Sequence, residues 1–119
     1  MLKPCPDSPN CVCSMHSDDK KHFIEPILPK ENISEVRLAI EKFLKSDGNI
    51  SIAQSTQEYI HAAFKVPFTS FIDDVEFYFP SNENIVHVRS ASRKGYSDLG
   101  VNKARVNRLK KFLKKEGVI

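Results

Sequence analysis

Two changes in the spacing of apolar residues divide the chain into a helix, a set of strands and a second helix. After Asn32, apolar side chains recur every three or four residues, which puts them on one face of a helix. These residues are Val36, Ile40, Phe43 and Leu44. Asn32 with Glu35 three residues later is a capping-box arrangement, because the two side chains can satisfy backbone N–H groups at a helix start. The pattern therefore predicts a helix that begins after Asn32.

From Ile50 the apolar spacing shortens to two, which is typical of strands with one buried face. Four runs show this spacing, at 50–52, 60–66, 75–79 and 86–88. A polar turn separates the first two runs, and a turn-rich segment separates the last two. Runs joined in this way form hairpins, so we predict two hairpins in a four-stranded antiparallel sheet.

The side chains of the second hairpin also predict its register. Apolar residues that face each other across two strands share one side of the sheet, so we expect Phe77 opposite Val88. The same register places Glu76 beside Arg89 on the other side. That second face is predicted to be polar and ordered.

A second helix follows near the end of the chain. Asn102 can cap it, and the apolar residues after it recur at helical spacing. They are Val106, Leu109, Phe112 and Leu113. We therefore predict a single α+β domain over residues 1–119, a two-layer sandwich in which a four-stranded antiparallel sheet packs on two helices in the order α-β-β-β-β-α. An extended Cys/Pro-rich N-terminal segment (1–32) precedes the α+β core (33–119).

The composition is that of an ordinary globular protein. Of 119 residues, 40% are hydrophobic and 28% are charged, and no apolar run approaches the roughly 20 residues of a membrane-spanning helix. We therefore expect a soluble protein. The first residues show neither the apolar stretch of a secretory signal nor a lipidation motif, which leaves two alternatives: the protein stays inside the cell, or a leader is removed.

The charge is distributed unevenly along the chain. The net charge is +3, yet residues 93–116 hold nine basic and two acidic residues and so carry +7, while the remainder carries −4. A solvated basic helix face is the ordinary interpretation of such a run, and an anionic membrane surface or another phosphate-bearing partner is the alternative. Nucleic-acid binding is not expected, because the aromatic residues fall on predicted core positions.

The connection 89–102 is the strongest candidate for a ligand site. It joins a strand to a helix, and such a connection points backbone N–H groups and the positive end of the helix dipole outwards. We therefore predict a non-catalytic binding module for a small anionic or polar ligand at the strand-to-helix loop 89–105, with a self-satisfied structural loop as the alternative. The predicted ligand-binding residues are Arg89, Ser90, Ser92, Arg93, Ser97, Asp98, Asn102 and Arg105.

Three carboxylates, Asp73, Asp74 and Glu76, are predicted to support this connection. Strand alternation puts Asp74 and Glu76 on one face and Asp73 on the other, so the three do not converge on a magnesium or calcium ion. We expect them to pair with Arg89 and Arg93 instead. No metal and no cofactor is predicted.

Acid–base catalysis on the polar sheet face is a second hypothesis, and an envelope-associated assembly module is a third. The residues for catalysis are Asp74, Glu76, His87 and Arg89, whose side chains could exchange protons with a small substrate. No nucleophile elbow or phosphate loop accompanies them. Whether the protein is an enzyme is left open, as is its oligomeric state.

The three cysteines lie within nine residues of each other. The turn between Cys5 and Cys11 carries two prolines and several hydrogen-bonding side chains, so a disulfide across it is sterically reasonable. Free thiols are an alternative, and so is a soft-metal site that adds Cys13, Met15 and His16. No standard paired-cysteine spacing supports the metal site.

Three motifs in order resemble domain of unknown function (DUF) family 1499. They are Pro4–Val12, Asp73–Phe77, and Arg89–Arg93 continued by Gly95–Asn102 with Arg105 behind. The resemblance covers nearly the whole chain, and it singles out Cys5 and Cys11 together with the polar residues named above. It also implies the cell envelope or an organelle lumen, since similar proteins often carry leaders or membrane segments. This chain shows no signal peptide, so its localisation stays open.

Overall fold

The computed structural model describes residues 1–95 and 97–119, which form an α+β structure with two helices and one antiparallel sheet. Tyr96, which belongs to the third motif, lies outside the described residues. The elements in chain order are β1 (Cys11–Cys13), α1 (Ile33–Lys45), β2 (Ile50–Ser55), β3 (Tyr59–Lys65), β4 (Ile72–Tyr78), β5 (His87–Ser92) and α2 (Val101–Lys115).

Over the described residues the sheet has five strands in the order β1-β5-β4-β3-β2, so the prediction of four strands is wrong. The additional strand is β1, which pairs with β5 through Cys11 opposite Ala91 and Cys13 opposite Arg89. It was missed because it is three residues long and buried throughout, so it shows no alternation. The predicted register of the second hairpin is confirmed, since Phe77 lies opposite Val88.

The two helices begin in different ways. The side-chain oxygen of Asn32 accepts a hydrogen bond from the backbone N–H of Glu35 at 3.0 Å, as predicted for α1. The cap predicted for α2 is wrong: Asn102 is the second residue of that helix, and its own backbone N–H donates to Asp98 at 2.9 Å. Among the described residues, neither helix has the length and hydropathy to cross a membrane.

The core lies between the helices and one face of the sheet. Val75 and Phe77 of β4 pair there with residues of β3 and β5, and the apolar stripes of α1 and α2 cover them. The same face continues from Val75 to Asp73 at the start of β4, opposite Ser92 of β5. The core therefore ends in polar side chains at the point where β5 leads into α2.

Candidate functional site

A buried ion pair joins the sheet to α2 at this point. Asp73 on β4 accepts a hydrogen bond from the Nη2 of Arg105 at 2.7 Å, and both side chains are buried. The guanidinium of Arg105 also lies over the ring of Phe64, 4.9 Å from its centroid. A charge removed from water in this way is stable only when it is paired and hydrogen-bonded. Asp73 and Arg105 thus depend on each other.

Asn102 connects this ion pair to the loop that precedes α2. Its Oδ1 accepts hydrogen bonds from the Oγ of Ser90 at 2.6 Å and from the Nη1 of Arg105 at 2.8 Å. Its Nδ2 donates to the Oδ2 of Asp98 at 2.7 Å and to the Oγ of Ser92 at 3.0 Å. We call these six residues the junction network: Asp73, Ser90, Ser92, Asp98, Asn102 and Arg105.

Asp98 holds the turn that starts α2. Its carboxylate accepts hydrogen bonds from the backbone N–H of Gly100 at 2.8 Å and of Asn102 at 2.9 Å. Burial alone would raise the pKa of Asp98, but these bonds and the side chain of Asn102 lower it below its ordinary value. The carboxylate therefore stays charged and satisfies N–H groups that a helix start leaves free.

The N-terminal segment fixes the other side of this loop, which the sequence did not predict. The Nδ2 of Asn10 donates to the carbonyl of Gly95 at 2.9 Å, and its backbone carbonyl accepts from the Nδ2 of Asn102 at 3.2 Å. Asn10 is buried and directly precedes Cys11. The sulfur atoms of Cys5 and Cys11 are 2.08 Å apart, the distance of a disulfide bond. The turn they close thus lies next to the junction.

The opposite face of the sheet carries a second set of charged contacts. Arg93 binds both carboxylate oxygens of Asp74, at 2.8 and 3.0 Å, and His61 contacts the same carboxylate at 2.7 Å. Burial alone would raise the pKa of Asp74, but the hydrogen bonds from Arg93 and His61 outweigh it and lower the pKa. The two partners hold this carboxylate in its charged form.

Beside this contact, Arg89 donates to Glu76 at 3.3 Å and to the carbonyl of Pro4 at 3.4 Å. The hydroxyl of Tyr59 donates to Glu76 at 2.5 Å, and burial together with that bond raises the pKa of Tyr59. Arg89 and Glu76 face each other on neighbouring strands, as the register predicted. Arg89 and Arg93 therefore both pair with carboxylates, as predicted. Asp73 was expected to pair with one of them but pairs with Arg105 instead.

The contacts of Asp74 make the free energy of unfolding depend on pH in the acidic range. Because its pKa is lower in the folded protein than the ordinary 3.8, the folded state binds fewer protons, and its stabilising contribution is lost as the pH falls below that value. We expect Asp74→Asn to flatten the decline of unfolding free energy between about pH 5 and pH 2. Urea unfolding followed by circular dichroism measures this decline. Exposed Asp18→Asn is the control, and an equal slope in both variants would disprove the assignment.

His87, the remaining residue of the catalytic hypothesis, lies apart from Asp74. Its Nδ1 is 3.0 Å from the Oγ of Ser14, and its ring stacks on Tyr78 with centroids 6.5 Å apart. Burial lowers the pKa of His87, so the neutral imidazole is favoured. In the described residues, no group of three or more His, Cys, Asp or Glu side chains could hold a metal ion.

A cleft of about 310 Å³ opens beside the junction network. Asp73, Ser92 and Asp98 line its inner side, where they are buried or half-buried, and Ser97 and Lys94 lie at its exposed side. Apolar residues complete it, and they come from the β3–β4 turn and from the start of α2. They are Val66, Phe71, Leu99 and Val101. We call this space the junction cleft.

The predicted ligand-binding residues therefore lie in three different environments. Ser92, Ser97 and Asp98 line the junction cleft, while Ser90, Asn102 and Arg105 lie behind it in the buried network. Arg89 and Arg93 contact carboxylates on the other face of the sheet. A second cleft, of about 500 Å³, lies at the N-terminal end of α1 and involves none of them.

The chain matches a known protein family. Residues 1–113 match the model of a family described as "Protein of unknown function (DUF1499)". The chain belongs to this family. The match includes all three motifs, together with the junction network and its partner Asn10. No curated protein and no solved structure matches the chain at a significant level. Membership of the DUF1499 family assigns no activity, because the description names none.

Proposed function

We propose that this DUF1499 protein is a non-catalytic binding module that takes a small polar ligand with an apolar portion in the junction cleft. The observation that supports this is the lining of the cleft. Polar groups of Ser92, Asp98 and Ser97 lie beside apolar surfaces of Phe71 and Val101. Ligand sites commonly combine apolar walls with a few placed polar groups, which orient the ligand.

The rigidity of the lining supports the same proposal. Asp98 is held by Gly100 and Asn102, and Ser92 accepts from the side chain of Asn102 at 3.0 Å. A site whose polar groups are fixed before binding loses less entropy when a ligand arrives. The junction network thus acts as the support of the cleft.

The charges around the cleft favour an uncharged polar ligand over a strongly anionic one. Arg105 neutralises Asp73 from the buried side, while Asp98 remains a carboxylate with a lowered pKa. Lys94 is the cation among the lining residues. The formal charges of these four groups cancel, so the cleft offers an anion little net attraction.

Two probes separate the polar from the anionic alternative. Benzamide carries an uncharged polar group on an apolar ring, and inorganic phosphate is a compact anion. We expect benzamide to shift the ¹⁵N–¹H resonances of Thr69, Ser92, Ser97 and Val101, which line the cleft, and phosphate to shift them little. If phosphate shifted these resonances and benzamide did not, the ligand class would be anionic rather than uncharged and polar. No response at these residues to either probe would contradict the proposal.

A matched pair of tryptophan variants tests the location. Val101→Trp fills the cleft with a larger side chain, and we expect it to weaken benzamide binding at least about tenfold. Leu38→Trp is the control, because Leu38 is likewise an exposed apolar residue of a helix but lies on α1, outside the cleft. Equal weakening by both substitutions would place the binding elsewhere.

A further inference from the structure

Two large apolar side chains stand almost fully in solvent beside the junction cleft. Phe68 is 108% exposed and Leu99 is 95% exposed. Both have a positive φ, 63° for Phe68 and 54° for Leu99, a conformation that bulky residues rarely adopt. Two such residues on the rim of one cleft are not explained by the packing of the core.

Hydrogen bonds within each turn fix the backbone from which these side chains project. In the first turn, Val66 donates its N–H to the carbonyl of Phe71 at 3.0 Å, and the Oγ1 of Thr69 donates to the carbonyl of Val66 at 2.8 Å. In the second turn, Asp98 accepts from Gly100 at 2.8 Å. Phe68 and Leu99 lie at the tips of these turns, where the hydrogen bonds fix the backbone that carries them.

More apolar surface lies between the two tips. Phe71 is 47% exposed and Val101 is 39% exposed, and both line the cleft that the two turns share. Isolated exposed apolar residues are common on proteins, but several around one opening indicate an interaction surface. We call Phe68, Phe71, Leu99 and Val101 the apolar rim.

Basic residues next to the apolar rim indicate the chemistry of its partner. Lys65 directly precedes the first turn, Lys94 lines the cleft, and Lys103 lies in the first turn of α2; all three are exposed. In the part of the chain that the structure describes, none of the three forms an ion pair, and Asp73 and Asp74 are paired with arginines. Asp98 is the charged carboxylate that opposes them in the cleft lining, so the three lysines leave a net positive charge around the rim. A surface that is apolar at its tips and positive around them complements an anionic lipid bilayer.

We propose that the apolar rim docks on an anionic bilayer. Phe68 and Leu99 enter the boundary between headgroups and acyl chains, while Lys65, Lys94 and Lys103 lie against the headgroups. A second copy of this chain is the less favourable occupant, because the same lysines would then face each other. This docking does not depend on a ligand in the cleft. A negative benzamide titration would therefore contradict the proposed function only, and a negative vesicle experiment would contradict the bilayer docking only.

Co-sedimentation with vesicles tests the proposal. The vesicles contain phosphatidylcholine alone or phosphatidylcholine with about one third phosphatidylglycerol. We expect the protein to bind the anionic vesicles more tightly, and added salt to weaken this binding. The double variant Phe68→Asn/Leu99→Asn should lose about 10- to 100-fold in affinity, as expected for removing two apolar anchors. Asparagine is chosen because it tolerates a positive φ.

A matched double variant serves as the control. Leu28→Asn/Leu38→Asn removes two other exposed leucines, 62% and 67% exposed, that lie outside the apolar rim, and should keep the affinity within about twofold. Circular dichroism verifies that both double variants are folded. The proposal is overturned if the protein binds neither kind of vesicle, binds both equally, or loses as much affinity in the control. A dimer in sedimentation that Phe68→Asn/Leu99→Asn abolishes would assign the rim to a second copy.

Discussion

Replacing Asp73 by alanine is expected to lower the free energy of unfolding by about 3–5 kcal/mol. The substitution leaves the guanidinium of Arg105 buried without its carboxylate, which lies 2.7 Å away in the folded protein. An unpaired buried charge costs far more than a lost surface contact, because no water replaces the missing partner. Urea unfolding followed by far-UV circular dichroism at neutral pH measures the loss.

Two further variants show whether burial is the cause. Glu116→Ala breaks the Lys42–Glu116 pair, whose side chains are 66% and 30% exposed, and should cost less than about 1 kcal/mol. The double substitution Asp73→Leu/Arg105→Leu removes both buried charges, so it should be more stable than Asp73→Ala alone. If Asp73→Ala cost no more than Glu116→Ala, the ion pair would not hold α2 to the sheet.

Asn102→Ala is expected to lower the free energy of unfolding by about 3–4 kcal/mol, since several buried groups lose their partner at once. Asn102 is 1% exposed. Its removal deprives Ser90 and Arg105 of an acceptor, and Asp98 and Ser92 of a donor. The same urea titration measures the effect.

Asn107→Ala is the matched control for this substitution. Asn107 lies on the exposed face of α2, five residues after Asn102, and its replacement makes the same change of residue type on the same helix. The difference between the two variants therefore reports the buried packing and the hydrogen bonds of Asn102. Similar stability of both variants would show that those bonds contribute little.

The spacing of apolar residues predicted both helices and four of the strands correctly. It also predicted the pairing of β4 with β5, because a single register buries Phe77 with Val88 and pairs Glu76 with Arg89. It could not reveal β1. Three consecutive buried residues show no alternation of apolar and polar positions, and their partner strand lies more than 70 residues further along the chain. A strand of this kind is defined by tertiary pairing rather than by local pattern.

The candidate site was predicted as a set of residues but not as an arrangement. Asn102 has the local signature of a helix cap, yet it lies inside α2, which begins after Gly100. Its side chain accepts hydrogen bonds from Ser90 and Arg105, and its backbone N–H donates to Asp98. Those contacts join β5 to α2, and no sequence spacing specifies them. Strand alternation correctly separated Asp73 from Asp74, but it did not indicate which arginine each would meet.

The apolar rim was not predicted either. Phe71 and Val101 look like core residues in a sequence, since an apolar side chain is usually buried. Phe68 and Leu99 carry no local signal of exposure, because bulky apolar residues rarely adopt the positive φ that both have in these turns. Such exposure becomes visible only when the two turns are placed side by side.

Amide hydrogen exchange at Asn102 tests most directly whether the junction network fixes the start of α2. This N–H is among the first four of the helix, which have no acceptor within the helix, and its acceptor is the side chain of Asp98 at 2.9 Å. We expect it to exchange at least about 100-fold more slowly than an unprotected amide. Exchange at the unprotected rate in the wild-type protein would show that the network does not hold this connection in place.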